Sequence, residues 1–131
     1  MSILETTEKI GEKTVNIEIF SDVCYVRVNK TEIQYVSADF ILLLKIASET
    51  KEISNGFKVS RESFIGSSCS VVSDKEKDVY SLEVSYPEDY NQPDDIVLFP
   101  LSERDIINDL LTRTLELLKI ECKNEDYDLK V

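Results

Sequence analysis

The sequence SSCSVVSDKEKDVYSLEVSY, residues 67–86, decides the fold because it contains the clearest β-hairpin in the chain. Its two arms flank a charged turn at 75–77. In the second arm Tyr80, Leu82 and Val84 alternate with polar residues, which is the period of two typical of a strand with one buried face. The segment therefore predicts an antiparallel sheet.

Earlier residues predict three more strands. Val15, Ile17 and Ile19 alternate with polar residues, and residues 23–28 and 33–36 are short apolar stretches separated by a turn. Consecutive short strands joined by tight turns are typical of an antiparallel meander.

The other segments that could join the sheet are shorter. We expect a turn at Asn55-Gly56, a brief strand at 57–59 and a further strand at 95–99. Residues 1–13 are polar and predict a short helix or a loose leader.

Residues 38–51 leave two interpretations open. The residues Ser37-Ala38-Asp39 are typical of a helix cap, and apolar residues follow them at helical spacing. Apolar residues on the other faces also fit a buried strand, and periodicity alone does not separate the two. The alanine, the leucines and the lysine of this segment favour the helix.

The C-terminal segment predicts an amphipathic helix. Ser102 is typical of an N-cap, and Asp105 three residues later approximates a capping box. We expect the helix to end near Glu121, with Asn108 facing away from the core and a polar tail following at 123–131. Its apolar stripe comprises Ile106, Ile107, Leu110, Leu111, Leu117 and Leu118.

These patterns predict a single α+β domain over residues 1–131. An antiparallel sheet of about five or six strands, made of the meander and the hairpin, would pack with about two helices, including the C-terminal amphipathic one. The length of 131 residues is near that of one common domain. We see no internal repeat and no linker in the sequence.

The charge of the chain restricts its partners. Twenty-six acidic and fifteen basic residues give a net charge of −11, and thirteen of the acids but only five of the bases lie at 83–131. A field of this sign repels nucleic acids and anionic membranes and attracts basic proteins. We therefore expect a basic protein partner, with neither nucleic acid nor membrane bound directly.

The three cysteines indicate a reducing compartment. Cys24, Cys69 and Cys122 are odd in number, widely spaced and without a paired motif, whereas a secreted disulfide framework normally uses an even count. Each lies in a mixed apolar stretch and is expected to be a small core residue. No signal peptide is visible, so a cytoplasmic location is expected.

The residues that catalysis commonly uses are mostly missing. The chain has no histidine, which excludes Ser-His-Asp and Cys-His arrangements and most zinc sites. Its three glycines, at 11, 56 and 66, cannot form a phosphate-cradling loop or a dinucleotide fingerprint. We therefore expect no enzymatic activity, no cofactor and no metal.

Two acidic clusters are the candidate sites for partner binding. Aromatic rings beside carboxylates are typical of protein interfaces, because rings bury area while acids meet Lys or Arg on a partner. One cluster lies in the loop after the hairpin and the other at the start of the last helix, where the helix dipole alone also favours acids. The candidate residues are Tyr86, Glu88, Asp89, Tyr90, Asp94 and Asp95 in the loop, and Glu103, Asp105 and Asp109 in the helix.

The functional hypothesis that follows is an acidic, non-catalytic inhibitor that binds another protein. An immunity protein that neutralises a basic toxin fits best, because a nuclease has a cationic cleft that would attract carboxylates. A phage-encoded DNA mimic is a poorer match, since fifteen Lys and Arg residues are interspersed among the acids. An unrecognised enzyme working through Glu88 and Asp94 is a further alternative.

The chain also resembles the small acidic effector chaperones of type III secretion. The likeness covers the meander at 15–36, the later hairpin and strand, and the helix at 103–120, and it concerns topology and charge without a shared motif. It implies a dimer with apolar grooves that hold a partly unfolded effector. The chain departs from that family at residues 2–10, which are too few and too polar for the family's long N-terminal helix.

Overall fold

The structure, a computed structural model, describes residues 2–54, 56–63, 65–125 and 131. It has an α+β fold with two four-stranded antiparallel sheets and two α-helices. The elements are β1 Leu4–Ile10, β2 Lys13–Ile19, β3 Val23–Val28, β4 Thr31–Val36, α1 Ser37–Glu49, β5 Phe57–Glu62, β6 Ser68–Asp74, β7 Val79–Ser85, β8 Asp95–Pro100 and α2 Arg104–Glu125. Short 3-10 turns at Glu88–Tyr90 and Leu101–Glu103 flank β8.

The order of elements repeats, with four strands and one helix in each half of the chain. Strands follow one another in chain order within each sheet, and the two sheets meet along β4 and β8. At this junction the Tyr35 hydroxyl donates a hydrogen bond to the Leu82 carbonyl at 3.0 Å. The helices pack against each other, and each crosses to the other half, α1 onto β6 and α2 onto β1. The repeat is not visible in the sequence because the two halves share an order of elements but no sequence motif.

The predicted strands at 23–28 and 95–99 and the hairpin at 67–86 are confirmed, but the predicted number of strands is wrong. The structure contains eight strands in two sheets, where one sheet of about five or six was expected. Gly56 lies in a left-handed turn before β5, with a φ of 89°; its predicted turn partner, Asn55, is outside the described residues.

The prediction of a short helix or loose leader at 1–13 is wrong, because Leu4–Ile10 form β1, a turn follows at 11–12 and β2 begins at Lys13. The strand was missed since two of its inward positions are polar. Thr6 lies 3.4 Å from the Thr114 hydroxyl of α2, and Glu8 accepts a hydrogen bond from Arg113 at 3.2 Å. These inward side chains of β1 make polar contacts with α2 instead of apolar ones. The sequence of β1 therefore lacks the apolar alternation from which a strand is predicted.

The segment at 38–51 is helical over most of its length, as the composition favoured, with α1 ending at Glu49 and residues 50 and 51 in the turn that follows. The N-cap is Val36, which makes no capping bond, and the Ser37 hydroxyl donates to the Phe20 carbonyl at 2.7 Å. The predicted cap at 37–39 is therefore wrong. Most faces of α1 are buried because the helix lies between β6 and α2, and this explains its lack of a clean polar side.

Helix α2 begins at Arg104, two residues after the predicted cap at Ser102, and continues to Glu125, beyond the predicted end near Glu121. The start of the predicted polar tail is therefore helical, and residues 126–130 are outside the described part of the chain. Asn108 does not face away: it is buried and donates to the Ala47 carbonyl at 2.8 Å and to the Tyr80 hydroxyl at 3.1 Å.

Candidate protein-binding surface

The loop between β7 and β8 has a defined turn geometry. Its 3-10 turn follows Pro87 and is closed by two backbone hydrogen bonds, from Tyr90 to the Pro87 carbonyl at 3.0 Å and from Asn91 to the Glu88 carbonyl at 3.1 Å. Asn91 has a φ of 47°, a left-handed conformation that asparagine tolerates better than most residues. The sequence of this loop therefore fits its backbone.

The loop surrounds a surface cavity of about 530 Å³. Its walls comprise Tyr86, Pro87, Glu88, Asn91, Gln92 and Pro93. Asp89 and Asp94 are exposed beside it, and Tyr90 exposes 54% of its surface. None of the carboxylates of Glu88, Asp89 and Asp94 forms an ion pair with a lysine or arginine in the described residues.

Tyr86 and Asp95 form a hydrogen-bonded pair at the base of this loop. Both side chains are half-buried, and the Tyr86 hydroxyl donates to Asp95 Oδ2. Burial, with the nearby Asp95 carboxylate, raises the pKa of the Tyr86 phenol, so the phenol keeps its proton and serves as the donor.

Asp39 is a second carboxyl group close to this pair, although its sequence context predicts only a helix cap. It lies in the first turn of α1, is fully buried, and neither of its carboxylate oxygens forms a hydrogen bond of normal geometry within the described chain. Burial raises its pKa, and the nearby hydroxyls of Ser63 and Ser67 partly offset this. The Asp95 carboxylate raises it further. No local pattern could predict this grouping because tertiary packing brings α1, the loop before β6 and the start of β8 together.

The second acidic cluster lies elsewhere. Glu103 accepts a hydrogen bond from Lys13 at 2.7 Å, and Asp109 accepts one from Arg113 at 2.9 Å, whereas Asp105 is exposed. The six-residue strand β8 separates the two clusters, so they lie about 17 Å apart along its axis. The structure therefore divides the nine predicted residues between two regions.

A larger groove of about 890 Å³ lies where the two sheets meet. Val28, Ile33, Ile96 and Leu98 are its main apolar side chains, and Leu98 exposes 58% of its surface. This surface is not among the predicted sites, although residues 96–99 of β8 are an unbroken apolar run that places large apolar side chains on both faces of the strand.

The described residues contain no cluster of three or more Cys, Asp or Glu side chains placed to hold a metal ion. The three cysteines are buried, as predicted for core residues, and burial raises the pKa of the Cys69 thiol to about 12.

Comparison with known proteins gave no relatives: no protein-family model and no curated sequence matches this chain. Neither helix, over the residues described, is long and apolar enough to cross a lipid bilayer.

Proposed function

We propose that this protein is a non-catalytic inhibitor that binds a basic protein through the loop at 86–95. Its most specific form is a cytoplasmic immunity protein that neutralises a basic toxin such as a nuclease. The observation that carries this proposal is the set of exposed carboxylates on Glu88, Asp89 and Asp94, which form no ion pair with the lysines and arginines that the structure describes and which flank the exposed ring of Tyr90 in the sequence.

Carboxylates without an internal cation suit a charged interface. An acid that forms an ion pair with a lysine of the same protein must break that pair before it can bind a cation of the partner protein. The three loop acids form no such internal pair among the described residues. Charges of one sign on an exposed surface also accelerate encounter with a cationic cleft. The ring of Tyr90 adds apolar area that a partner could bury.

The proposal is tested by capture of partners from the native cell at low and at high salt. A tagged protein should recover a basic toxin or nuclease domain at low salt and lose most of it at high salt, because salt screens exposed charges. Recovery of a basic partner whose retention is indifferent to salt, or recovery of no protein at all, would contradict the proposal.

An effector chaperone is the second candidate, and the groove between the sheets is the observation that favours it. An apolar groove lined by Ile33, Ile96 and Leu98 could hold an extended apolar segment of another protein. Under this alternative the captured protein would be a secreted effector, bound through its N-terminal segment and retained at high salt. Leu98→Asp should then abolish capture, whereas removal of the loop acids should not.

A further inference from the structure

We infer that the protein forms a homodimer in which β1 of one protomer pairs antiparallel with β1 of the other, and the two α2 helices pack against each other beneath this strand pair. The surface along β1 and α2 thus binds a second copy of the chain. The inference goes beyond the proposed function and is independent of it, because the loop at 86–95 connects strands of the other sheet. Three features carry it: the open edge of β1, its self-complementary charges and an exposed apolar stripe on α2.

Strand β1 ends its sheet, with β2 on one side and an open edge on the other. A two-residue turn joins the two strands, so its closing pair, Ile10 and Lys13, exchanges both backbone hydrogen bonds. By the alternation of an antiparallel ladder, Glu5, Thr7 and Lys9 then direct their N–H and C=O groups to the open edge. A row of such groups is a template for pairing with another strand.

The side chains of the same three residues favour a second β1 as the incoming strand. All three are exposed, and an antiparallel pair centred on Thr7 places Glu5 of each protomer opposite Lys9 of the other. Opposite charges directly across a strand pair stabilise it. No ion pair in the described residues includes Glu5 or Lys9, and Glu5 lies opposite Glu18 of β2. Both charges are therefore complementary to a second protomer.

The charge pattern also selects one register. Centring the pair on Thr7 places Leu4 of each protomer opposite Ile10 of the other, so the half-buried apolar ends of the strand match as well. A slip of two residues in either direction removes both Glu5–Lys9 pairs, and a slip of one residue turns the inner side chains outward. The strand is therefore complementary to itself in a single antiparallel alignment.

Helix α2 has an exposed apolar stripe beside this edge. Ile106, Leu117 and Ile120 expose 44–54% of their surfaces, and their spacing places them on one face of the helix together with Arg113. Arg113 binds Glu8 of β1, so this face lies next to the strand. A narrow apolar stripe on an otherwise polar helix face is typical of packing against a second helix.

One two-fold axis satisfies both the strand and the helix. Arg113 is seven residues from Ile106 and seven from Ile120, and it binds Glu8, the neighbour of Thr7, at 3.2 Å. An axis through Thr7 therefore passes near the middle of the stripe. Rotation about it runs the two α2 helices antiparallel and brings Ile106 of each protomer next to Ile120 of the other. A closed two-fold dimer requires such a patch that matches itself.

The arginines near the axis do not oppose this arrangement. Each Arg113 is bound by Glu8 and Asp109 of its own chain, at 3.2 and 2.9 Å. Two carboxylates therefore offset the charge of each guanidinium before the protomers meet. Repulsion between the two arginines is correspondingly weak, and the apolar side chains on either side of them determine how the helices pack.

The first test is sedimentation velocity of the whole protein over a range of concentrations. We expect a reversible dimer with twice the 15.0 kDa mass of the chain. Thr7→Pro should abolish this dimer and leave a folded monomer by circular dichroism, because the Thr7 N–H faces the open edge and proline is tolerated in edge strands.

Two apolar variants test the helix stripe. Ile120→Asp should raise the dimer Kd by about tenfold or more, because it places a charge in the contact between the two helices. Leu98→Asp is the matched control, since it removes a comparably exposed apolar side chain from the groove between the sheets. It should leave the dimer Kd unchanged.

Charge reversal tests the register of the strands. Lys9→Glu places two acids opposite each other at both ends of the strand pair and should raise the dimer Kd by about tenfold. The double variant Glu5→Lys, Lys9→Glu restores opposite charges across the pair and should return the Kd to near the wild-type value. A double variant that dimerises no better than Lys9→Glu would overturn the proposed pairing.

Three further results would overturn the inference. The first is a monomer at every concentration up to the solubility limit. The second is a dimer that tolerates Thr7→Pro, Ile120→Asp and Lys9→Glu, because another surface would then hold the protomers together. If Thr7→Pro does not fold, the other two variants, at exposed side chains, decide the question. The third is a monomer whose β1 amides become protected from hydrogen exchange only in a complex with another protein, which would assign the edge to that protein.

Discussion

The loop at 86–95 and the start of α2 at 103–109 are both acidic, yet the protein uses their carboxylates differently. At the helix, Glu103 binds Lys13 of β2, and Asp109 binds Arg113 one turn along α2. At the loop, Glu88, Asp89 and Asp94 point to solvent without such cations. Sequence makes the two regions look alike, whereas the structure shows that three carboxylates of the loop form no ion pair among the described residues and that two of the three at the helix do.

The largest effect is expected from removing the loop charges. The triple variant Glu88→Gln, Asp89→Asn, Asp94→Asn should weaken binding of the captured basic protein by about a hundredfold, because charge pairs buried at an interface cost 2–5 kcal/mol or more when one partner is lost. Isothermal titration calorimetry measures this difference.

The matched control for that variant is Glu103→Gln, Asp105→Asn, Asp109→Asn, which removes the same charge from the helix. Its affinity should stay near that of wild type. If the helix variant lost as much affinity as the loop variant, overall charge would explain binding and the difference between the regions would disappear.

Asp39→Asn is expected to raise the free energy of unfolding by about 1–3 kcal/mol at neutral pH, because it removes a fully buried carboxylate for which the nearby hydroxyls of Ser63 and Ser67 only partly offset the cost of burial. The pKa of Asp39 is raised in the folded protein, so the folded state binds this proton more tightly than the unfolded state does. The cost of Asp39 is therefore absent below about pH 4 and appears as the pH rises through its raised pKa. Urea unfolding of both proteins across this pH range should show the advantage of the variant shrinking towards acid.

A gain that did not change with pH would show that charge at Asp39 is not its cause.

Tyr90→Ala should weaken partner binding by about tenfold, or about 1–2 kcal/mol, since aromatic residues commonly dominate interfaces. Its melting temperature should match that of wild type because the ring is more than half exposed. Surface plasmon resonance combined with thermal unfolding separates the two effects, and a large loss of stability would mean that the ring supports the loop rather than a partner.

The smallest effect is expected from Glu103→Gln, which breaks the ion pair with Lys13. This pair is half-buried, so the free energy of unfolding should fall by about 1 kcal/mol, the upper end of the range for exposed pairs, with no change in partner affinity. A double-mutant cycle with Lys13→Met measures the pair directly. A clear loss of affinity in Glu103→Gln would extend the binding surface to the helix.

The sequence patterns predicted the hairpin and several strands because one face of each is apolar and the other polar. They failed at β1, where Thr6 and Glu8 take inward positions by pairing with α2. They also assigned Asn108 to the outside, although it joins α1 and β7 through its amide. In each case a polar residue faces inward because it binds a residue that is distant in the sequence. A local sequence pattern contains no information about such a contact.

The candidate site shows the same difference between what a local sequence pattern predicts and what only the tertiary structure shows. Composition identified the acids of both clusters, but not which of them have a cation of their own. Asp39 was interpreted as part of a cap, and only the packing of α1 against the loop before β6 brings it near Asp95. The charge counts therefore predicted that the protein has acidic surfaces. The fold was needed to show which of these surfaces has carboxylates without internal ion pairs among the described residues.

The most direct test of the central claim is hydrogen–deuterium exchange on the complex with the captured basic protein. The account predicts slower exchange at 86–95 on binding, with little change at 103–109 and in the groove between β4 and β8. Protection concentrated at the helix start or in that groove, with the loop exchanging as in the free protein, would contradict it.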